Sequence, residues 1–167
     1  MNLTLKYGIL LGALVVAWTF IMGIAGWHTH PTLQALFWVV ILIQIVVAVL
    51  GLKARAADAT YGSQVKVGTI MSLIAGVVVF IGSYIFTSVV FPNYFDELRM
   101  AGEELFRSQG KPEAEIKALL DAQAPMQTSF MQALLGFIGT FLTGLIISLI
   151  AGAFLKSKTT AEPQAQA

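Results

Sequence analysis

Few residues in this chain could do chemistry, and their positions limit what that chemistry can be. Its two histidines fall together in His28-Thr29-His30-Pro31. An H-x-H pair can offer two ligands to a metal, but a site needs three or four. No carboxylate lies in that turn, so no metal is expected and both imidazoles are read as solvent-exposed. Gln44 is the most polar side chain deep inside an apolar stretch, and its amide suits a hydrogen bond to a neighbouring helix. Ser72, Ser83, Thr140, Thr143 and Ser148 add hydroxyls, which in helices often bond the carbonyl four residues back. Trp18 and Tyr84 read as packing residues. There is no cysteine, no glycine-rich phosphate loop and no Ser/His/Asp set. The absence of cysteine excludes disulfides, thiolate metal sites and thiol catalysis. No catalytic, cofactor-binding or metal residue is nominated, and the chain is not expected to be an enzyme.

The elements that must position these residues are apolar. Of 167 residues, 57% are hydrophobic and 11% charged, against about 25% charged in average soluble domains. Lys and Arg number 10 against 9 Asp and Glu, which lacks the basic excess of a nucleic-acid binder. Four runs contain no charged residue or histidine: 7–26, 33–52, 67–91 and 130–155. Each matches the roughly 20 residues needed to cross about 30 Å of hydrocarbon. All five prolines fall outside these runs, so no proline kink is expected within a span. The first run is longer than a signal-peptide core. The fold class is therefore all-α: a polytopic membrane protein with a four-transmembrane-helix bundle. Residues 1–158 form a single membrane domain, and the small, polar segment 159–167 reads as a disordered cytoplasmic tail.

Basic residues give the orientation. Lys6, Lys53, Arg55, Lys66, Lys156 and Lys158 share one side, and the turn Trp27–Thr32 has no Lys or Arg. The loop 92–129 carries four basic residues against seven acidic ones. Flanking Lys and Arg mark the cytoplasmic side, so both termini are expected there. That makes a multi-pass membrane protein with the short turn and the long loop outside, and Trp27, Phe91 and Tyr94 as an outer aromatic belt.

Spans three and four share a small-residue pattern. Gly68-Thr-Ile-Met-Ser72-Leu-Ile-Ala-Gly76 repeats as Gly144-Leu-Ile-Ile-Ser148-Leu-Ile-Ala-Gly152. In the fourth span the series extends upstream through Gly136 and Thr140. Residues four apart share a helix face, and small ones let backbones approach closely in lipid. Antiparallel packing is expected to set Gly68 beside Gly152, Ser72 beside Ser148 and Gly76 beside Gly144. Gly8 and Gly12 make a shorter stripe in the first span.

The loop 92–129 reads as a pair of amphipathic helices outside the membrane. Tyr94, Phe95, Leu98, Leu105 and Phe106 form one apolar face, and the third span is free to continue into this helix. Gly110 can end it, and Pro112 suits the start of a second, whose stripe is Ile116, Leu119 and Leu120. Glu103–Arg107 and Glu113–Lys117 are pairs at i,i+4. The two stripes either cap the bundle or dock an extracytoplasmic protein partner.

Several motifs in order carry a resemblance. They are Lys6-Tyr7-Gly8, Val65-Lys66-Val67-Gly68 with Ser72 to Gly76, and Ser83-Tyr84. The acidic two-helix loop, Gly136-Phe-Ile-Gly139, Gly144 to Ser148 and Phe154-Leu-Lys156 complete them. From Leu5 to Lys158 the chain resembles the bacterial membrane family catalogued as domain of unknown function 4199. The resemblance implies a four-span inner-membrane protein and carries no activity or functional residues. The function expected is a non-catalytic membrane component, acting by helix packing and partner binding in the lipid bilayer, alone or as a homo-oligomer. The alternative is a transporter or channel subunit for an uncharged or lipid-like substrate. No nucleic acid is expected as partner.

Overall fold

The computed structural model describes residues 2–55 and 59–156, so the expected tail 159–167 lies outside the described residues. Those residues form helices joined by turns, with no strand among them. The helices are α1 (Leu3–Ile24), α2 (Val39–Lys53), α3 (Tyr61–Ile85), α4 (Tyr94–Ser108), α5 (Glu113–Gln123) and α6 (Ser129–Leu155). A 3₁₀ segment, Leu33–Trp38, leads into α2, and a π-helical turn, Phe86–Val90, ends α3. Four stretches are long and apolar enough to cross a membrane: Leu3–Ile24, Leu33–Lys53, Tyr61–Val90 and Ser129–Leu155. At about 1.5 Å per residue, even the shortest matches a hydrocarbon core of about 30 Å.

The helices outrun the apolar runs at their starts because polar caps set the ends. Asn2 accepts from the Thr4 amide at 3.1 Å, Thr60 from Ser63 at 3.3 Å and Thr128 from Met131 at 3.2 Å. Each cap satisfies an amide with no partner inside its own helix. α1 therefore starts four residues before the apolar run, and α3 six. α2 has no such cap and begins as a tightened 3₁₀ coil. Its Leu36 carbonyl accepts from the Trp18 indole of α1 at 3.0 Å.

α3 does not continue into α4. Phe91 breaks the coil at φ −137°, ψ 68°, with Pro92 next in sequence. Gly26 and Gly110, at φ +70° and +74°, reverse the chain after α1 and α4. In both cases the next amide bonds a carbonyl five residues back, Trp27 to Met22 and Lys111 to Phe106. Such a left-handed position costs least for glycine.

α3 packs between α1 and α6, and α2 bridges α1 and α6 on the far side. Leu11, Val15, Val40, Val47, Ala48, Ala75 and Val79 form the buried core. Glycines allow α1 to close on α3: a Cβ on Gly12 would stand 2.6 Å from that of Val78 and 2.8 Å from the Ala75 carbonyl. At the end of the bundle opposite the start of α1 and the last turn of α6, α4 lies against the turn after α1 and forms a cap with α5.

Candidate functional site

The small-residue seam forms, but one helical turn away from the expected register. Gly68 faces Ser148 rather than Gly152, and Gly144 faces Ser72 rather than Gly76. A Cβ on Gly144 would lie 2.7 Å from that of Ser72, and one on Gly68 2.5 Å from that of Ser148. Both serines are fully buried and donate to their own helices, Ser72 to Gly68 O at 2.8 Å and Ser148 to Gly144 O at 2.6 Å. Each glycine notch thus holds a serine whose polar group is already satisfied. Gly152 comes against Gln64, and Gly76 against the Phe137 ring. Gln64 is buried and its amide lies 3.4 Å from both Leu52 O and Leu155 O, between the carboxyl ends of α2 and α6.

Towards the cap the stripe changes role. Gly136 and buried Thr140 line a cavity of about 320 Å³ between α1, α2, α3 and α6. Val15, Thr19, Val79 and Ser83 close its inner wall, and its lining contains no acidic or basic side chain. Phe37, Trp38, Leu135 and Gly139 also line it and are exposed at the bundle surface, forming its rim. Gln44 lines the cavity, is 3% exposed, and its Oε1 has no hydrogen-bond partner among the described residues. Leaving such a group unpaired in a dry interior costs about 1–3 kcal/mol.

A second cavity of about 240 Å³ lies nearer the cap and shares Thr19, Phe37 and Gln132 with the first. It is lined by His28, which is 5% exposed rather than solvent-facing. The imidazole stacks on Tyr94 with centroids 4.7 Å apart, and Phe91 meets its edge at 5.5 Å. Its Nε2 lies 3.3 Å from the Glu97 carboxylate without the alignment of a hydrogen bond, and neither ring nitrogen has a hydrogen-bond partner among the described residues. The sequence hides this burial because the covering residues lie more than sixty positions away. Phe91 and Tyr94 accordingly turn inward instead of forming a lipid-facing belt. Burial raises the Tyr94 phenol above its usual value. His30 stays exposed.

The cap is clasped by ion pairs. Arg107 reaches Glu103 at 2.6 Å and Glu113 at 2.8 Å, and Asp121 accepts from Arg99 at 2.9 Å and Lys117 at 2.6 Å. The expected Glu113–Lys117 pair gives way to these, because Arg107 on the facing helix takes Glu113. Hydrogen bonds and charge hold Glu113 below its usual carboxylate range, as Lys117 and Arg99 do Asp121. Of the residues nominated for docking, Ile116 and Leu120 are buried, Tyr94, Phe95, Leu98, Phe106 and Leu119 are half-buried, and Leu105 is exposed.

Comparison with known proteins agrees with the order of motifs along the chain. A family model described as "Protein of unknown function (DUF4199)" matches residues 6–157. The chain belongs to this family. No curated protein and no solved structure matches it.

In this DUF4199 chain, no group of three or more His, Cys, Asp or Glu among the described residues could hold a metal. The unpartnered Gln44 Oε1 and His28 nitrogens equip the two adjoining cavities to hydrogen-bond a guest. Neither cavity was legible in the sequence, because each is lined by residues from several helices far apart along the chain.

Proposed function

We propose that this protein is a non-catalytic membrane component that binds an uncharged, lipid-like molecule within the cap-side half of its bundle. The observation that carries the reading is the uncharged cavity beside Gln44, whose buried amide oxygen has no hydrogen-bond partner among the described residues. Pockets for small molecules are mostly apolar, with a few placed polar groups, and this lining has that make-up. A rim of Phe37, Trp38, Leu135 and Gly139 would open sideways to lipid, so a guest could enter without crossing water. The basic residues Lys6, Lys53, Arg55, Lys66 and Lys156 support cytoplasmic termini, with the cap outside.

The test is native mass spectrometry after gentle extraction from the membrane. A bound lipid-like species of fixed mass on the wild type, lost in Gln44→Leu with the fold retained, is the expected result. Bare protein in both would remove the reading.

A second reading is docking of an extracytoplasmic protein partner on the cap. Exposed Leu105 and Met100 on α4 favour it. It predicts a co-purifying protein that Leu105→Glu releases.

A further inference from the structure

We propose that the two adjoining cavities are one site for a single-chain alcohol, with His28 as the ligand of its hydroxyl head. This rests on the proposal that the lower cavity takes a lipid-like guest, and adds which end of the guest is recognised and by what.

Thr19, Phe37 and Gln132 line both cavities, so their volumes of about 320 and 240 Å³ adjoin. The lower one is mainly apolar and suits a chain. The upper one offers His28, Gln34, Tyr94, Gln132 and Thr19. Two of these are already engaged: the Gln34 amide donates to His28 O at 2.8 Å, and the Thr19 hydroxyl donates to Val15 O at 3.0 Å. Neither His28 nitrogen has a hydrogen-bond partner among the described residues, with the Glu97 carboxylate 3.3 Å from Nε2 but not aligned. A neutral imidazole presents one donor and one acceptor on diverging sides of the ring, and a hydroxyl, which can donate or accept, answers whichever nitrogen faces the cavity. An anionic head would meet the Glu97 carboxylate 3.3 Å from Nε2, with no Lys or Arg in either lining. Stacking on Tyr94 and the edge contact with Phe91 hold the ring in place, which favours a fixed head position over a loose one.

The experiment uses the full chain in lipid nanodiscs and two photoactivatable probes of equal chain length, a long-chain primary alcohol and the matching alkane. Wild type is compared with His28→Phe, which keeps a ring against Tyr94 and removes both nitrogens. Labelled peptides are mapped, and thermal melting reports folding. Wild type is expected to be labelled by the alcohol in preference to the alkane, near Thr19 and Gln132. In His28→Phe that preference should fall roughly two- to tenfold, the worth of one hydrogen bond, while alkane labelling stays unchanged. Equal loss of both probes, or an unchanged preference, makes His28 a packing residue and overturns this inference alone. Absence of labelling by either probe in wild type overturns the cavity reading as well. His28→Gln, which restores a donor and an acceptor, should recover part of the preference, and failure to do so in a folded variant counts against the proposal.

Discussion

Ser148 of α6 fills the space that a side chain on Gly68 of α3 would need, and four residues along each helix Ser72 fills the corresponding space at Gly144. The pairing is reciprocal because each span carries the same Gly-x-x-x-Ser unit and the two run antiparallel. A glycine set against a glycine would leave a gap, and a serine against a serine a collision. Offsetting the two units by one turn puts every serine in a notch. Each hydroxyl bonds its own helix, so the seam brings no unpaired polar group into the interface.

Gly68→Ala and Gly144→Ala should therefore each destabilise the bundle by about 1–3 kcal/mol, the usual cost of overpacking. Gly62→Ala is the matched control, since a Cβ there meets nothing within 4 Å. It should be neutral or stabilising by up to about 1 kcal/mol. Thermal or denaturant unfolding in a mild detergent measures all three. Equal effects at positions 62 and 68 would show that the notch does not matter.

The observed register can be separated from the expected one by cross-linking. A Cβ on Gly152 would lie 3.4 Å from that of Gln64, close to the usual disulfide separation of about 3.5–4.5 Å. Cysteines at 64 and 152 should form a disulfide under mild oxidation, and cysteines at 68 and 152 should not. The opposite outcome restores the register in which Gly68 meets Gly152.

The spans and the cap helices were legible because they rest on local signals: charge-free runs, and alternating apolar and charged faces between Tyr94 and Leu120. The helix starts were not read, because hydropathy alone points past the polar caps Asn2, Thr60 and Thr128 that set them. The seam was legible in composition and not in register, since a four-residue repeat fits its partner equally well after a slip of one turn. The burial of His28 was not legible. It depends on Phe91 and Tyr94 being folded back by the break at Pro92. Gln44 stood out as polar, whereas its missing partner is a property of the space around it.

Acid should loosen the cap before the bundle. Arg107 depresses the Glu113 carboxyl, and Lys117 and Arg99 depress that of Asp121. A carboxylate with a depressed folded pKa contributes stability above its unfolded pKa and loses it as pH falls through the folded value. For these two groups that loss begins near pH 4 and runs below it. Both are exposed, so high salt should weaken the clasp as well. Hydrogen exchange corrected for intrinsic rate should show α4 and α5 losing protection between pH 5.5 and pH 3 while α3 and α6 keep theirs. Unchanged protection in α4 and α5 would mean the ion pairs do not hold the cap.

The most direct probe of the cavity is Gly139. It lies one position off the packing stripe, lines the cavity at its exposed rim, and a Cβ there meets nothing within 4 Å. Gly139→Leu therefore adds bulk at the mouth from a Cβ position that is open. Replacing a mid-helix glycine also raises helix propensity, by up to about 1 kcal/mol. The variant should melt at the same temperature as wild type or higher, yet carry less bound lipid-like guest after gentle extraction. Stability and occupancy then move in opposite directions, which a general packing defect does not produce. Full occupancy in a stable Gly139→Leu would place the guest's entry elsewhere and leave the rim of Phe37, Trp38 and Leu135 without a role in admission.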